Sequence, residues 1–553
     1  MGLKDSALAK YIRNIKTSPK SLIANRQLIC TSLVFAFAGI PLLTYSCKTG
    51  PSTQQPGWDQ GSSATIPSLP GFQHAFGITS ATNPSQVSNF VSLVYIGAGV
   101  GAALTYFIND RWGRLWALRI YSVTWIIGQL IAVASSGNLA AMYAGRIIAG
   151  FGIGPLTVIG PVTLTEIAPA ETRGLITSWF SVIMLLSLTV AAFVVLGCFG
   201  MAPSNVQWQV PFFIPCIAMA LVVAASFFVM DSPRWLFLVG RDEEATQTLV
   251  TLRGLPLEHP RIQSELREIT ESVAKERVAF GEASTYSLAG LRAVCRETFL
   301  VPANLRRTQQ AFLSYSLAQL SGANSITTYL VPVLSLIGVK GGTTHSLLYA
   351  ALYSMAKFFY TLIASFFFVD ALGRRNSLFI GIIVQMLSHI YIGVYIKFSH
   401  EGPVSQGAGQ GALAAIFLHG FGYAVGLLIL PYIFVSELWP NQLRSFGASL
   451  TQCFHWLFFF GVNKGVPSLL ESTDQWGAFL FFAGWCFLAL LYVFFTVPET
   501  AGVDLEKIDE LFQGPWFNQY KRTKAMGRDV EVLESVESRS ESEGVDVLAS
   551  GKK

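Results

Sequence analysis

The sequence predicts an all-α membrane fold of twelve transmembrane helices in two six-helix pseudo-repeat halves. Three observations predict it. Of 553 residues, 52% are hydrophobic and 13% are charged, about half the charged share of a soluble domain. Apolar runs near the roughly 20 residues of a spanning helix recur along the chain. Acidic and basic motifs at the ends of these runs occur twice, in the same order.

The elements follow in order. Residues 1–27 form a cytoplasmic segment holding Lys4, Lys10, Arg13, Lys16, Lys20 and Arg26. Residues 28–230 form the N-terminal half, with spans near 28–45, 87–108, 115–134, 141–164, 175–197 and 209–230. The first run lacks a small-residue cleavage site and reads as an uncleaved span. Residues 231–307 carry GRDEEATQTLV and SELREITESVAKERV, which suggest short amphipathic cytoplasmic helices. Residues 308–497 form the C-terminal half, with spans near 308–337, 344–369, 376–398, 411–436, 446–466 and 475–497. Residues 498–553 are a cytoplasmic tail, read as disordered after about 515 because few apolar residues remain. Arg111, Arg114, Arg374 and Arg375 sit in the turns after spans two and eight, whereas 135–140 and 199–207 hold no Lys or Arg. The positive-inside bias then puts both termini in the cytoplasm.

Asp110-x-x-Gly113-Arg114 follows span two, and Asp370-x-x-Gly373-Arg374 follows span eight. Glu166-x-x-Pro169-x-x-x-Arg173 follows span four, and Glu437-x-x-Pro440-x-x-x-Arg444 follows span ten. Parallel repeats of this kind surround a site near the bilayer midplane. The matched acids and bases can pair to hold the cytoplasmic side shut and separate when it opens. A purely topological role would fit single charges better than matched sets.

Other classes are disfavoured. The seven cysteines show no CxxC spacing, no metal cluster appears, and no catalytic or nucleotide-binding constellation stands out. Gly150-Phe-Gly152-Ile-Gly154 lies inside an apolar helix, where close packing explains it better than phosphate binding. Net charge is +5, but Lys and Arg bracket the spans instead of forming a patch, so no nucleic-acid partner is expected. Neither catalytic activity, cofactor nor metal is expected, and the lipid bilayer is the expected surrounding.

Lys357 lies about 20 Å along span eight from Asp370. That is too deep for its side chain to reach water, and a charge at the bilayer centre costs at least a few kcal/mol. Tyr353, Lys357, Tyr360 and Thr361 share one helical face. A carboxylate substrate would neutralise the ammonium; a protein acid or a neutral amine are the alternatives. Few acids compete, since no Asp or Glu lies in the middle of the second-half spans. Span seven is weakened at Gly322, flanked by Gln319 and Asn324. Amides both donate and accept, which suits a polyol, although helix–helix bonds are their other use in membranes.

Further motifs are Asp231-Ser-Pro-Arg234-Trp-Leu, Gln319-Leu-Ser-Gly322-Ala-Asn324 and Val497-Pro-Glu499-Thr-Ala-Gly502. With the repeated motifs, they make residues 26–512 resemble the sugar porter branch of the major facilitator superfamily. Within it, the chain looks most like the fungal quinate and galacturonate permeases, whose span eight similarly carries a Lys and whose span eleven resembles Gln452-Cys-Phe-His455-Trp456. The resemblance puts Gln319 and Asn324 at sugar-binding amides and Tyr432, His455 and Trp456 at substrate-facing positions. It also shows departures: Ala318, Ser181, Tyr432, Ala424 and His455 stand where many sugar porters carry Gln, Gln, Trp, an acid and Asn. The lost amides point away from a neutral hexose.

The resemblance further implies proton symport, with Asp59 of Gly57-Trp-Asp59-Gln-Gly61 as carrier and Arg146 of span four as its partner. The expected function is proton-coupled import of an acidic polyol such as quinate or galacturonate, by a monomer in the plasma membrane. A neutral hexose or pentose transporter and a non-transporting nutrient receptor are the alternatives. Residues 41–56, PLLTYSCKTGPSTQQP, delay Asp59 by some four turns. Half of them are polar, and irregular backbone is not tolerated in lipid. They loop out, or 28–45 spans alone, or they are an unremoved intron. The flanks join into an ordinary span one, which favours the intron.

Overall fold

A computed structural model describes residues 25–37, 66–78, 83–169, 172–280, 288–338, 342–368, 372–428, 439–440 and 443–497. Among these, every regular element is helical.

The N-terminal half contains α1 (Arg26–Ala36), the short α2 (Pro70–Phe76), α3 (Pro84–Trp112), α4 (Arg114–Ala134), α5 (Leu139–Ile167), α6 (Arg173–Phe199) and α7 (Asn205–Ala225). Helix α5 is its hub, packing on α1, α3, α4 and α6. Glycines make this possible: a Cβ at Gly97, Gly150 or Gly154 would strike backbone across the α3–α5 crossing, and one at Gly152 would meet Trp125 of α4. Small residues at such crossings bring helix backbones close where no hydrophobic force separates helix from lipid. The Gly150–Gly154 run is therefore a packing seam.

Helices α8 (Pro233–Leu238), α9 (Asp242–Arg253), α10 (Pro260–Phe280) and α11 (Leu288–Leu300) follow. Their anchor is Arg253, whose Nη1 donates to the Ile167 carbonyl at the end of α5 (2.7 Å) and whose Nε donates to Glu265 of α10 (2.9 Å). Asn25 Nδ2 donates to the Thr251 carbonyl (2.6 Å), tying α9 to the start of α1.

The C-terminal half begins with a broken span: α12 (Pro302–Leu320), α13 (Ala323–Thr328) and α14 (Leu330–Leu336). Then come α15 (Gly342–Ile363), α16 (Arg374–Glu401), α17 (Gln406–Tyr423), α18 (Arg444–Ser472) and α19 (Trp476–Thr496). A π-helical turn follows α15 at Ala364–Phe368 and another follows α17 at Ala424–Leu428.

Nine helices among the described residues are long and apolar enough to cross a membrane: spans two to six, eight to ten, and twelve. Span one is described only over α1, and span seven is broken. Span eleven, α18, is long but carries Gln452, His455 and Asn463, all buried inside the bundle. The outward faces are apolar, as at Ile127, Leu221, Leu387 and Phe487; an apolar belt of this kind fits lipid. The halves meet chiefly along α3 with α18 and α6 with α15.

Candidate functional site

The span-seven break builds the site. Gly322 has φ +73°, and a Cβ there would lie 2.5 Å from the Phe482 ring; the left-handed geometry and the space both call for glycine. The break puts the buried amides Gln319 and Asn324 on either side of an irregular turn. Asn324 Nδ2 donates to Gln319 Oε1 (2.7 Å), Gln319 Nε2 lies 3.3 Å from His455 Nδ1, and Tyr423 Oη donates to Asn324 Oδ1 (3.3 Å).

These side chains line a cavity of about 20 Å³, closed by Tyr315, Trp456 and Phe459 and, from the N-terminal half, by Met184 and Leu185. That space admits about one water, not a six-carbon polyol. In this structure the amides satisfy one another around this small space. Trp456 Nε1 donates to Thr157 Oγ1 across the two halves (3.1 Å), and Tyr95 stacks on Trp456 (5.9 Å, 16°). Gln452 Nε2 donates to Tyr315 Oη (3.0 Å).

Lys357 is fully buried. Its Nζ stands 4.9 Å from the Tyr423 ring and 5.7 Å from the Tyr353 ring, and it has no hydrogen-bond partner among the described residues. Gly420 makes room for it: a Cβ there would come within 2.7 Å of Tyr353 and 3.2 Å of the Lys357 stem. In this conformation Lys357 lies behind the cavity wall, with Tyr423 between. Tyr353 and Thr361 are buried with it, whereas Tyr360 packs on Phe421 (5.4 Å).

At one end of the bundle the first repeated motif is a closed knot. Arg114 donates Nη1 to Asp110 (2.5 Å), and Nε and Nη2 to Glu166 (3.1 and 2.8 Å). Asp231 accepts from the Arg114 and Leu115 amides (3.2 and 3.3 Å), capping α4. Gly113 turns the chain at φ +89°, and Gly373 does the same at +87° before Arg374, so the repeat extends to backbone geometry. Arg444 borders the same small cavity as Asp110, Arg114 and Glu166. At the other end Lys464 Nζ donates to Asn89 Oδ1 between the halves (2.5 Å). Arg146 is buried, donating to the Phe90 carbonyl (3.1 Å) with its guanidinium over the Phe90 ring.

Asp59, Asp370, Tyr432 and Glu437 lie outside the described residues, as does the 41–56 stretch. Arg173 opens α6, and only its backbone is described. Sequence reasoning missed Tyr423, Tyr315, Thr157, and the buried pair His389 and His419. A signal existed for the histidines, since each lies inside an otherwise apolar span.

A family model described as "Sugar (and other) transporter" matches residues 50–512. The quinate permease of Emericella nidulans is 30% identical over 464 residues, 82% of this chain and 85% of that protein. The probable quinate permease of Aspergillus terreus is 30% identical over 475 residues, 83% and 84% of the two chains. Among solved structures, the proton:xylose symporter XylE bound to 6-bromo-6-deoxy-D-glucose superimposes with a TM-score of 0.72 at 20% identity, over 88% of this chain and 99% of that one. That likeness shows a shared fold of twelve helices in two halves.

Proposed function

Because this chain belongs to the sugar (and other) transporter family, a family of sugar-porter transporters of the major facilitator superfamily and not of enzymes, we propose that it imports an acidic polyol such as quinate or galacturonate together with protons, by alternating access.

The observation that carries this reading is Lys357, fully buried with no hydrogen-bond partner among the described residues. Two desolvated cation–π contacts are worth about 2 kcal/mol each. An isolated buried ammonium is penalised by far more than that, so the rings alone do not balance the charge. A substrate carboxylate would supply what is missing. To reach Lys357 it would displace Tyr423, which frees Asn324 and widens the cavity. Gln319, Asn324, Tyr353, Tyr360, Tyr432, His455 and Trp456 are the proposed hydroxyl-binding and lining residues around the carboxylate.

Asp59 and Arg146 are the proposed proton-coupling pair. Asp110, Arg114, Glu166 and Arg173 form the proposed cytoplasmic gate of the first half, with Asp370, Arg374, Glu437 and Arg444 as its counterpart in the second. The ion pairs of Arg114 with Asp110 and Glu166 support this reading. The reading places the protein in the plasma membrane with both termini inside.

The deciding experiment is uptake into proteoliposomes under an imposed pH gradient, with competition by acidic and neutral polyols. Accumulation of quinate or galacturonate, dissipated by a protonophore, is expected. Accumulation blocked only by neutral hexoses or pentoses would replace the substrate class. Specific binding with no accumulation would replace transport with sensing.

A further inference from the structure

Behind Lys357 lies a cluster that the proposed route does not use. His419 of α17 and His389 of α16 are both fully buried, with ring centroids 4.6 Å apart at 67°. His389 Nε2 meets the Ser321 carbonyl at 2.7 Å, the last residue before the Gly322 break. His419 lies within electrostatic reach of both Lys357 and His389 and near the same carbonyl. Neither ring nitrogen of His419 has a hydrogen-bond partner among the described residues.

Among the described residues, groups from several elements face this cluster. From α15 come Lys357 and Tyr353, from α17 Tyr423, from α16 His389, from the span-seven break the Ser321 carbonyl, and from α19 the Phe479 and Phe482 rings. Among the described residues no carboxylate joins them to offset the three basic side chains. A buried polar group without a partner is costly, and two imidazole nitrogens left open here point to a group whose state changes.

We propose that His419, assisted by His389, is a proton-binding site of the C-terminal half that loads when an anion neutralises Lys357. The proposal rests on the acidic-substrate reading above. While Lys357 is a free cation, protonating the neighbouring imidazole would set two like charges together in a low dielectric. A carboxylate on Lys357 removes that repulsion. A proton from solvent can then add to the unprotonated ring nitrogen of His419, giving an imidazolium near the Ser321 carbonyl. Anion and proton enter as a neutral sum, and each raises the affinity for the other, as linkage requires. The added charge lies beside the broken span, which ties occupancy to the Gly322 break.

The test uses full-length protein in nanodiscs carrying nitrogen-15-labelled histidine, with the His419 signals assigned by their loss in His419→Gln. In Lys357→Met, where the cation is gone without any ligand, His419 should be roughly tenfold or more richer in its protonated form at a fixed pH than in the parent. Equal protonation would overturn the proposal. Lys357→Gln replaces the Met variant should that one not elute as a folded monomer. A second arm is calorimetry with quinate in two buffers of different ionisation enthalpy. Proton uptake on binding is expected in the parent and should fall in His419→Gln with binding retained; unchanged uptake would overturn the proposal. Binding without uptake in the parent would also overturn it. Absence of quinate binding would sink the substrate reading, while the labelled-histidine comparison would still decide the proton site.

Discussion

Trp456 in the C-terminal half donates its indole proton to Thr157 in the N-terminal half at 3.1 Å, and both are buried. The bond joins the two halves across their seam. It makes the cavity wall and the inter-half seam one piece, and under the alternating-access proposal opening the route would break it.

Thr157→Val keeps the shape and removes the acceptor, leaving the indole N–H unpaired in the closed state. The closed form should weaken by about 1–3 kcal/mol. Quenching of tryptophan fluorescence by a water-soluble quencher should rise in this variant. Unchanged quenching would mean that the bond does not hold the halves together.

Lys357→Ala should abolish uptake of quinate or galacturonate while the protein still reaches the membrane. Lys357→Arg keeps the charge but not the compact ammonium, and should retain a fraction of uptake. Full affinity for the acid in the alanine variant would remove Lys357 from the binding site.

Glu166→Gln leaves Arg114 with Asp110 as its charged partner in the knot. Breaking a buried pair from one side costs about 3–5 kcal/mol. If the knot is the cytoplasmic gate proposed above, that cost falls on its closed state, and a cysteine placed at Ser445, which borders the same cavity, should react faster with a membrane-impermeant thiol reagent from the cytoplasmic side. A lower melting temperature with no change in labelling would make the knot structural only.

Gly322→Ala forces a Cβ into the left-handed region and onto the Phe482 ring. Strain of this kind costs of order 1–3 kcal/mol, before any steric clash. Thermal unfolding should move down by several degrees and substrate affinity should fall, since Gln319 and Asn324 take their places from this turn. A variant with the parent's affinity would show that the break is not needed to aim the amides.

How the protein is organised was legible in the chain because lipid leaves few choices. Every backbone group in a bilayer must be bonded within its own helix, so length and hydropathy mark the spans without knowledge of neighbours. The doubled motifs were legible for a related reason. Gly113 and Gly373 are needed by local backbone geometry, and a local need leaves a local pattern. Gln319 and Asn324 were named beforehand because they flank Gly322 and because they match sugar-porter amides, whereas His455 and Trp456 were named through the resemblance alone.

What the sequence could not tell was who stands beside whom. Tyr423 became the wall between the cavity and Lys357, and Thr157 became the partner of Trp456, through contacts 66 and 299 residues apart in the chain. His389 and His419 were visible as two polar residues in apolar spans, but only the packing of α16 against α17 set their rings together, with His389 on the Ser321 carbonyl. Hydropathy fixes how each helix meets lipid. The rotation of one helix against another is decided by side-chain and glycine packing inside the bundle, and that exists only in three dimensions.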